Sequence, residues 1–277
     1  MAAEHVAGAV DKGTEVKNMI LHHVTNGYDW EVPGHTFEFD PHALVFHIGG
    51  LEINMSITRH VVMMLIAAGL LILMGLLVRR KLAMIPRGFA SVVEAFVLFI
   101  RDEIAVPTMG KHHAVRYTSY LCSTFFFILT CNLLGLIPFG STATGNISIT
   151  AGLAFVAFLM IPGAGMRQMG VFGYFRHLVP QGVPLWLGPV MIVVEVMGLF
   201  AKPFALCVRL FANMTAGHVV ILSLIGLTFV MGLAAAAVAV PFGVFMYFLE
   251  IFVAFLQAYI FTMLTSLFIG LFVAEGH

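Results

Sequence analysis

Residues 61–78 read VVMMLIAAGLLILMGLLV, an apolar run without a charged side chain that is closed by Arg79-Arg80-Lys81. A helix needs about 20 such residues to cross the hydrocarbon core of a bilayer. The rest of the chain has the same character, since 60% of its 277 residues are hydrophobic and only 10% are charged. Soluble domains carry about 25% charged residues. We therefore predict an all-α polytopic membrane protein.

Further apolar segments follow the first. Thr118–Ile137 and Ile147–Met166 predict a second and a third span, ended by Pro138 and Arg167. The apolar region from Val183 to Ala274 is about twice as long as two upright helices need at about 1.5 Å per residue. We expect two long, strongly tilted helices that form a hairpin, with the turn between residues 226 and 237, near Gly232. An additional pair of short spans is the alternative.

The segment Pro86–Val106 is amphipathic rather than uniformly apolar. Its apolar residues recur at helical spacing between charged ones (Phe89, Val92, Val93, Phe96, Ile100). Such a helix lies along the membrane surface more readily than it crosses the bilayer. The sequence thus predicts about five transmembrane helices and one in-plane amphipathic helix.

The charges predict the orientation. Residues 1–59 hold eight acidic and three basic side chains, whereas residues 79–116 hold seven bases and three acids. Because basic loops stay in the cytoplasm, we expect an acidic extracytoplasmic segment over residues 1–59, a membrane domain over residues 60–277 and a cytoplasmic C-terminus. Residues 1–59 have neither the basic and apolar regions of a signal peptide nor the composition of a transit peptide, which indicates a bacterial inner membrane.

Nothing in the sequence predicts a metal site or a cofactor. The three cysteines lie in apolar runs without the spacing of a zinc site. Histidines of the N-terminal segment could bind metal, but we expect a solvated segment (His22, His23, His35, His42, His47). The formal net charge is zero, so no interaction with nucleic acid is expected.

Arg209 lies deep in the last apolar region. An ionisable side chain at that depth costs a few kcal/mol or more and indicates a functional site. A guanidinium stays protonated, so Arg209 cannot relay protons, but it supplies a permanent positive charge in a medium of low dielectric constant. Lys202 has a milder interpretation, in which its side chain reaches the interface from a helix end.

Helical spacing groups the other polar residues. At about 100° per residue Glu195, Lys202 and Arg209 share one face, Asn213 extends it by one turn, and His218 lies on roughly the opposite side. Two polar residues share a stripe on the last helix (Glu250, Gln257). Carboxyl and imidazole groups at this depth can be tuned to exchange protons. The alternative is that each forms a hydrogen bond that joins two helices.

Three segments carry a resemblance to a known family. Residues 202–218 read KPFALCVRLFANMTAGH, residues 256–261 read LQAYIF and residues 132–138 read NLLGLIP. They resemble the a subunit of rotary F-type ATP synthases of the bacterial type, and the arginine segment is the most specific. The resemblance covers nearly the whole chain from residue 60 onwards, whereas the N-terminal 59 residues match no pattern.

The resemblance implies a role for each polar residue. Arg209 would face the proton-carrying carboxylate of the c-ring, Glu195 would lie on the cytoplasmic access path, Asn213 and Gln257 would neighbour the arginine, and His218 and Glu250 would pair on the outer path. Many bacterial members carry an acid at the position of His218 and a histidine at that of Glu250. The exchanged arrangement retains both chemical types and supports a pair.

The function implied is that of a proton-translocating stator subunit, without catalysis of its own and without a cofactor. It would provide two aqueous half-channels and couple proton flow to ring rotation and ATP synthesis. Its implied partners are the c-ring, the peripheral stalk of b subunits, the rest of the complex and the bilayer. The main alternative is a self-contained proton-coupled carrier, although the inverted repeats common in such carriers are not visible. A structural scaffold would not need Arg209 at depth.

Overall fold

The computed structural model describes residues 12–21, 25, 27–32, 35–40, 45–48, 51–54, 56–80, 88–137, 140–177 and 187–273. The seven described α-helices are α1 (residues 12–21), α2 (Arg59–Arg80), α3 (Phe89–Phe99), α4 (Val106–Gly135), α5 (Ile147–His177), α6 (Gly188–Met231) and α7 (Leu233–Val273). Four short strands precede α2, namely β1 (Asp29–Val32), β2 (His35–Glu38), β3 (Val45–Ile48) and β4 (Leu51–Asn54).

The predicted all-α membrane fold is confirmed. Among the described residues, four helical segments are long and apolar enough to cross a membrane (Arg59–Arg79, Ile147–Tyr174, Val190–Met231, Ala235–Val273). Their exposed faces are rich in large apolar side chains, such as Ile72, Phe204 and Phe248. In water these side chains would favour association, but in lipid they need no protein partner. Helix α4 contains most of the predicted second span, and the count of five spans plus one remains a prediction.

Helix α5 runs past the predicted end of the third span at Arg167 and ends at His177. A single charged residue does not interrupt helical hydrogen bonding. The interruption occurs at Gly170, which has φ 74° and ψ 165°. Only glycine adopts that conformation cheaply. Helix α5 is therefore kinked at a glycine three residues past Arg167 and continues to His177.

The predicted amphipathic helix is divided into α3 and a π-helical segment, Ile100–Ala105, that leads into α4. The apolar side of α3 packs against α4, where the ring centroids of Phe96 and Phe125 are 6.0 Å apart. Phe89 and Val92 are exposed. Residues 86–87 of the predicted helix lie outside the described residues.

Arg101 and Asp102 form an exposed ion pair within the π-helical segment, with 2.8 Å between Nε and Oδ1. The hydrogen bonds between the two side chains raise the pKa of Arg101 and lower the pKa of Asp102.

The turn between the last two helices lies at Gly232, as expected. Gly232 has φ 76°, its N–H donates to the carbonyl oxygen of Thr228 (3.0 Å), and Leu233 begins α7. This is the left-handed C-terminal cap that glycine forms most easily. Pro241 lies within α7, and Pro203 within α6.

The chain divides into two compact units. The first comprises residues 1–68, 130–146 and 210–255, and the second comprises residues 69–129, 147–209 and 256–277. Each unit therefore combines segments that are distant in sequence, including one part of each long helix.

The N-terminal segment belongs to the first unit and forms two antiparallel hairpins, β1 with β2 and β3 with β4. Arg59 begins α2 and is buried, and its Nη2 donates to the carbonyl oxygen of Thr25 at 2.7 Å. Val16 of α1 lies against Gly226 of α6. These contacts hold the N-terminal segment against the membrane helices of its own unit.

Candidate functional site

The first unit contains a cavity of about 290 Å³ between α2, the connection that follows α4, α6 and α7. Its walls are largely apolar, but polar side chains converge on it (His60, Ser141, Thr142, Thr215, His218, Tyr247, Glu250). Apolar pockets with a few convergent polar groups are the usual form of a ligand or ion site.

His218 and Glu250 meet at this cavity. Nε2 of His218 on α6 lies 3.8 Å from Oε1 of Glu250 on α7, which is the geometry of an ion pair when the imidazole is protonated. The sequence predicted this pair, and α6 and α7 bring the two side chains together although 32 positions separate them.

Glu250 is 3% exposed, and neither of its carboxyl oxygens accepts a hydrogen bond from the described residues. Buried polar atoms in proteins are nearly always hydrogen-bonded, and exceptions often have a functional role. A carboxyl group whose oxygens accept no hydrogen bond from the described residues, beside a cavity, can exchange a proton with little rearrangement of its neighbours.

Helix packing around Glu250 depends on a small residue. A Cβ atom at Gly217 would lie 2.6 Å from Oε1 and 2.9 Å from Cδ of Glu250. Small residues allow neighbouring helices to approach closely. Gly217 therefore provides the space in which the carboxyl group lies next to His218.

Thr142 supplies a second partner for His218. Its Oγ1 is hydrogen-bonded to Nε2 of His218, and the residue is 4% exposed. Thr142 precedes a short 3-10 helix, Ala143–Gly145, in the connection between α4 and α5. Gly135 leaves room for it, since a Cβ atom there would lie 2.8 Å from Cα of Thr142.

His60 binds the same connection from α2. Its Nδ1 lies 3.0 Å from the carbonyl oxygen of Thr142 and 3.0 Å from Oγ of Ser141. His60 is 3% exposed, so both contacts are shielded from solvent. Three elements therefore converge on Thr142.

Two further hydrogen bonds join the same elements. Tyr247 of α7 donates to the carbonyl oxygen of Leu136 at 2.5 Å. Asn132 is fully buried, donates to the carbonyl oxygen of Ala254 (3.3 Å) and accepts a hydrogen bond from Oγ1 of Thr144 (2.6 Å). These bonds brace the end of α4 against α7 and against the connection that carries Thr142.

Asn213, which the resemblance placed beside the arginine, also belongs to the first unit. It is exposed on α6, five residues before His218. It does not line the cavity.

In the second unit α6 is helical without interruption from Glu195 through Lys202 to Arg209. Residues seven positions apart on one helix lie on the same face. Glu195 and Arg209 are both half-buried, and Gln257 of α7 is buried. The continuous helix on which the predicted common face of Glu195, Lys202 and Arg209 depends is therefore present.

Lys202 has a specific partner in the same unit. Its Nζ lies 4.9 Å from the ring centroid of Phe268 on α7. A cation above an aromatic face is stabilised by the ring quadrupole. The sequence suggested only that this side chain reaches the interface, and the structure adds that it packs across to α7.

Several residues of the cavity were not predicted from the sequence. His60 lies directly before the first predicted span, and Ser141 and Thr142 lie between the second and the third. The sequence did contain a signal for Ser141 and Thr142. Residues 140–146 read GSTATGN and include four polar residues, and a polar cluster between two spans lies next to the ends of buried helices. No group of three histidine, cysteine or acidic side chains suited to a metal ion occurs among the described residues.

Comparison with known proteins decides the family. The family described as "ATP synthase A chain" matches residues 61–270. The chain belongs to this family. The match covers most of the length of the four described helical segments that are long and apolar enough to cross a membrane, as well as His218, Glu250 and Arg209.

Curated relatives agree with the family. A protein named "ATP synthase subunit a" from Anaeromyxobacter sp. (strain Fw109-5) is 45% identical over 309 aligned positions, which cover 99% of this chain and 76% of that protein. The protein of the same name from Myxococcus xanthus is 50% identical, over 81% of this chain and 75% of its own length. "ATP synthase subunit a 2" from Chlorobaculum tepidum is 45% identical, over 99% and 78%.

Membership confirms the resemblance found in the sequence. Proteins of this family are membrane subunits of the F-type ATP synthase that take part in proton translocation and do not catalyse a reaction by themselves. The interpretations as a self-contained carrier and as a structural scaffold are therefore set aside. The acidic N-terminal segment lies outside the matched residues 61–270, although the alignment with the Anaeromyxobacter protein covers nearly the whole chain.

Proposed function

We propose that the chain is the proton-translocating stator subunit of a bacterial F-type ATP synthase, and that it provides two aqueous half-channels which end near the middle of the membrane. The observation that carries the proposal is the buried carboxyl group of Glu250, which lines the cavity with its Oε1 3.8 Å from Nε2 of His218. Imidazole and carboxyl groups are the side chains best suited to proton transfer near neutral pH.

The first half-channel runs through this cavity. A proton that enters from the outer side binds to His218 or Glu250 and passes from there to a carboxylate on the c-ring. The Glu250 carboxyl group can accept the proton because its oxygens accept no hydrogen bond from the described residues. With the N-terminal segment and the cavity in one compact unit, we propose that this unit faces the outer side and that the C-terminus is cytoplasmic.

The second half-channel runs along the face of α6 that carries Glu195. Arg209 lies on the same face, two heptads further along the helix. Its permanent charge favours the ionised form of a ring carboxylate, so that an arriving carboxylic acid releases its proton into this path. The same charge repels protons and prevents a direct leak between the two paths.

Asn213 and Gln257 are proposed as polar neighbours that keep the environment of the guanidinium hydrated or hydrogen-bonded. Arg209 is half-buried on α6, which suits a side chain that faces a moving partner rather than a packed core. The proposed partners are the c-ring, the peripheral stalk of b subunits and the other subunits of the complex, in the bacterial inner membrane.

The decisive experiment replaces Arg209 in the assembled ATP synthase. We expect Arg209→Ala to abolish ATP-driven proton pumping in inverted membrane vesicles, because ring carboxylates would no longer be forced to ionise between the two paths. Lys202→Ala is the matched control, since it removes a cation from the same face of α6 and should leave most pumping intact. Normal pumping by Arg209→Ala vesicles that contain a full complement of the subunit would refute the proposed function.

A further inference from the structure

Resting on the proposed function, we infer that Thr142 is a positioning residue of the outer proton path, held in place by His60, and that its hydroxyl group accompanies His218 through both protonation states. The two residues form a second arm of the site, in addition to Glu250. Neither residue belongs to the arginine segment of α6 or to the pair of His218 and Glu250.

The first support is the chemistry of the contact between Thr142 and His218. A hydroxyl group both donates and accepts hydrogen bonds, whereas a carboxylate only accepts. Oγ1 of Thr142 can therefore donate to Nε2 when that nitrogen is bare and accept from it when it is protonated. Glu250 lies 3.8 Å from the same nitrogen, beyond hydrogen-bond distance, and so cannot fix the orientation of the ring alone.

The second support is that the surrounding structure fixes the position of Thr142. His60 reaches across from α2 and places Nδ1 3.0 Å from the Thr142 carbonyl oxygen. A carbonyl oxygen only accepts, so this bond assigns the Nδ1 proton to His60 and makes it the donor. Nδ1 of His60 is thus committed to the backbone, and His60 acts on the site through Thr142.

The third support is the absence of a side chain at Gly135. A Cβ atom at that position would lie 2.5 Å from Cβ and 2.8 Å from Cα of Thr142. Thr142 also has extended backbone angles, φ −70° and ψ 113°, directly before the 3-10 helix. The connection is therefore built to bring this hydroxyl group to His218.

The test compares Thr142→Val with Thr142→Ser in the assembled ATP synthase. Valine keeps the shape of the side chain and removes the hydroxyl group, whereas serine retains the hydroxyl group. We expect Thr142→Val to reduce ATP-driven pumping about fivefold to tenfold, the effect of one lost hydrogen bond, and to alter the pH profile of pumping. Thr142→Ser should retain the wild-type profile.

A second comparison tests the role of His60. We expect His60→Leu to reproduce the altered pH profile of pumping. The double variant of His60→Leu and Thr142→Val should pump no more slowly than the slower of the two single variants, because both substitutions remove the same arm of the site. Thr228→Val is the matched control. Its hydroxyl group is exposed and, among the described residues, bonds the carbonyl oxygen of Ile225 on its own helix, so pumping should not change.

The outcomes separate this inference from the proposed function. If His218→Ala pumps normally, the outer path itself is wrong. If His218→Ala is inactive while Thr142→Val has the wild-type rate and pH profile, only the role of Thr142 is wrong. Additive losses in the double variant, or equal losses for serine and valine at residue 142, would show a merely structural connection and overturn the inference.

Discussion

Gly217 of α6 lies directly against the carboxyl group of Glu250 on α7. A Cβ atom at Gly217 would come within 2.6 Å of Oε1, closer than Cβ atoms approach a neighbouring atom in folded proteins. The position of the acid in the cavity is therefore tied to a residue that carries no chemistry. The next residue along the chain, His218, supplies the base. One turn of α6 therefore provides both the space that the Glu250 carboxyl group occupies and the side chain with which it pairs.

The first prediction concerns this contact. We expect Gly217→Ala to displace the Glu250 carboxyl group and to reduce ATP-driven proton pumping by about tenfold, because misplacing a proton-transfer group by a fraction of an ångström is costly. Gly198→Ala is the control on the same helix, since a Cβ atom there meets no other atom within 4 Å. Equal pumping by the two variants in inverted vesicles would contradict the prediction.

The second prediction concerns the exchange of acid and base. His218→Glu and Glu250→His should each impair pumping strongly, because each leaves two like groups facing each other at the cavity. The double variant restores one carboxyl and one imidazole group, and we expect it to retain more activity than either single variant. Pumping rates of the three variants, normalised to the amount of subunit in the complex, measure this. A double variant no better than both single variants would mean that the residues do not act as a pair.

The third prediction concerns Asn132. Its side chain bonds both the carbonyl oxygen of Ala254 and the hydroxyl group of Thr144 in a fully buried position. Asn132→Leu keeps the volume and removes both bonds, so we expect a loss of about 1–3 kcal/mol of stability, since the hydroxyl group of Thr144 stays buried without its acceptor. The measurement is the temperature at which the purified complex loses this subunit.

Thr144→Val is the matched comparison for that experiment. It removes the donor to Asn132 and keeps the bond from Asn132 to Ala254, so it should fall between the wild type and Asn132→Leu. An Asn132→Leu complex as heat-resistant as the wild type would rule out this bracing role.

The fourth prediction concerns the turn between the long helices. Gly232 has φ 76°, a conformation that costs other residues about 1–2 kcal/mol. We expect Gly232→Ala to lower the thermal stability of the subunit in the complex, whereas Gly243→Ala, within α7 and without a neighbour within 4 Å, should leave it equal or higher. The opposite order in a thermal dissociation experiment would show that another residue carries the turn.

The boundaries show where sequence reasoning succeeded and where it failed. The turn at Gly232 was expected because glycine in a long apolar region is the cheapest place to reverse direction. The third span was predicted to end at Arg167, whereas α5 continues to His177 with a kink at Gly170. Charge limits how far a helix can extend in lipid, but the helix itself continues beyond that point as long as its backbone forms hydrogen bonds.

Hydropathy and the arginine segment determined the class of the protein and its family. Both are local properties. The hydropathy of a span depends on its own residues, and the residues that share a helix face are close together in the sequence. They also indicated His218 and Glu250 as a pair, through the resemblance rather than through spacing.

Only the tertiary structure decided which distant segments share the cavity. His60 reaches Thr142 across 82 positions, and Tyr247 reaches Leu136 across 111. No periodicity in the sequence encodes such contacts, because they depend on how closely the helices approach each other. Glycines such as Gly135 and Gly217 allow that close approach. Which glycines have this role is visible only once the neighbouring segment is in place.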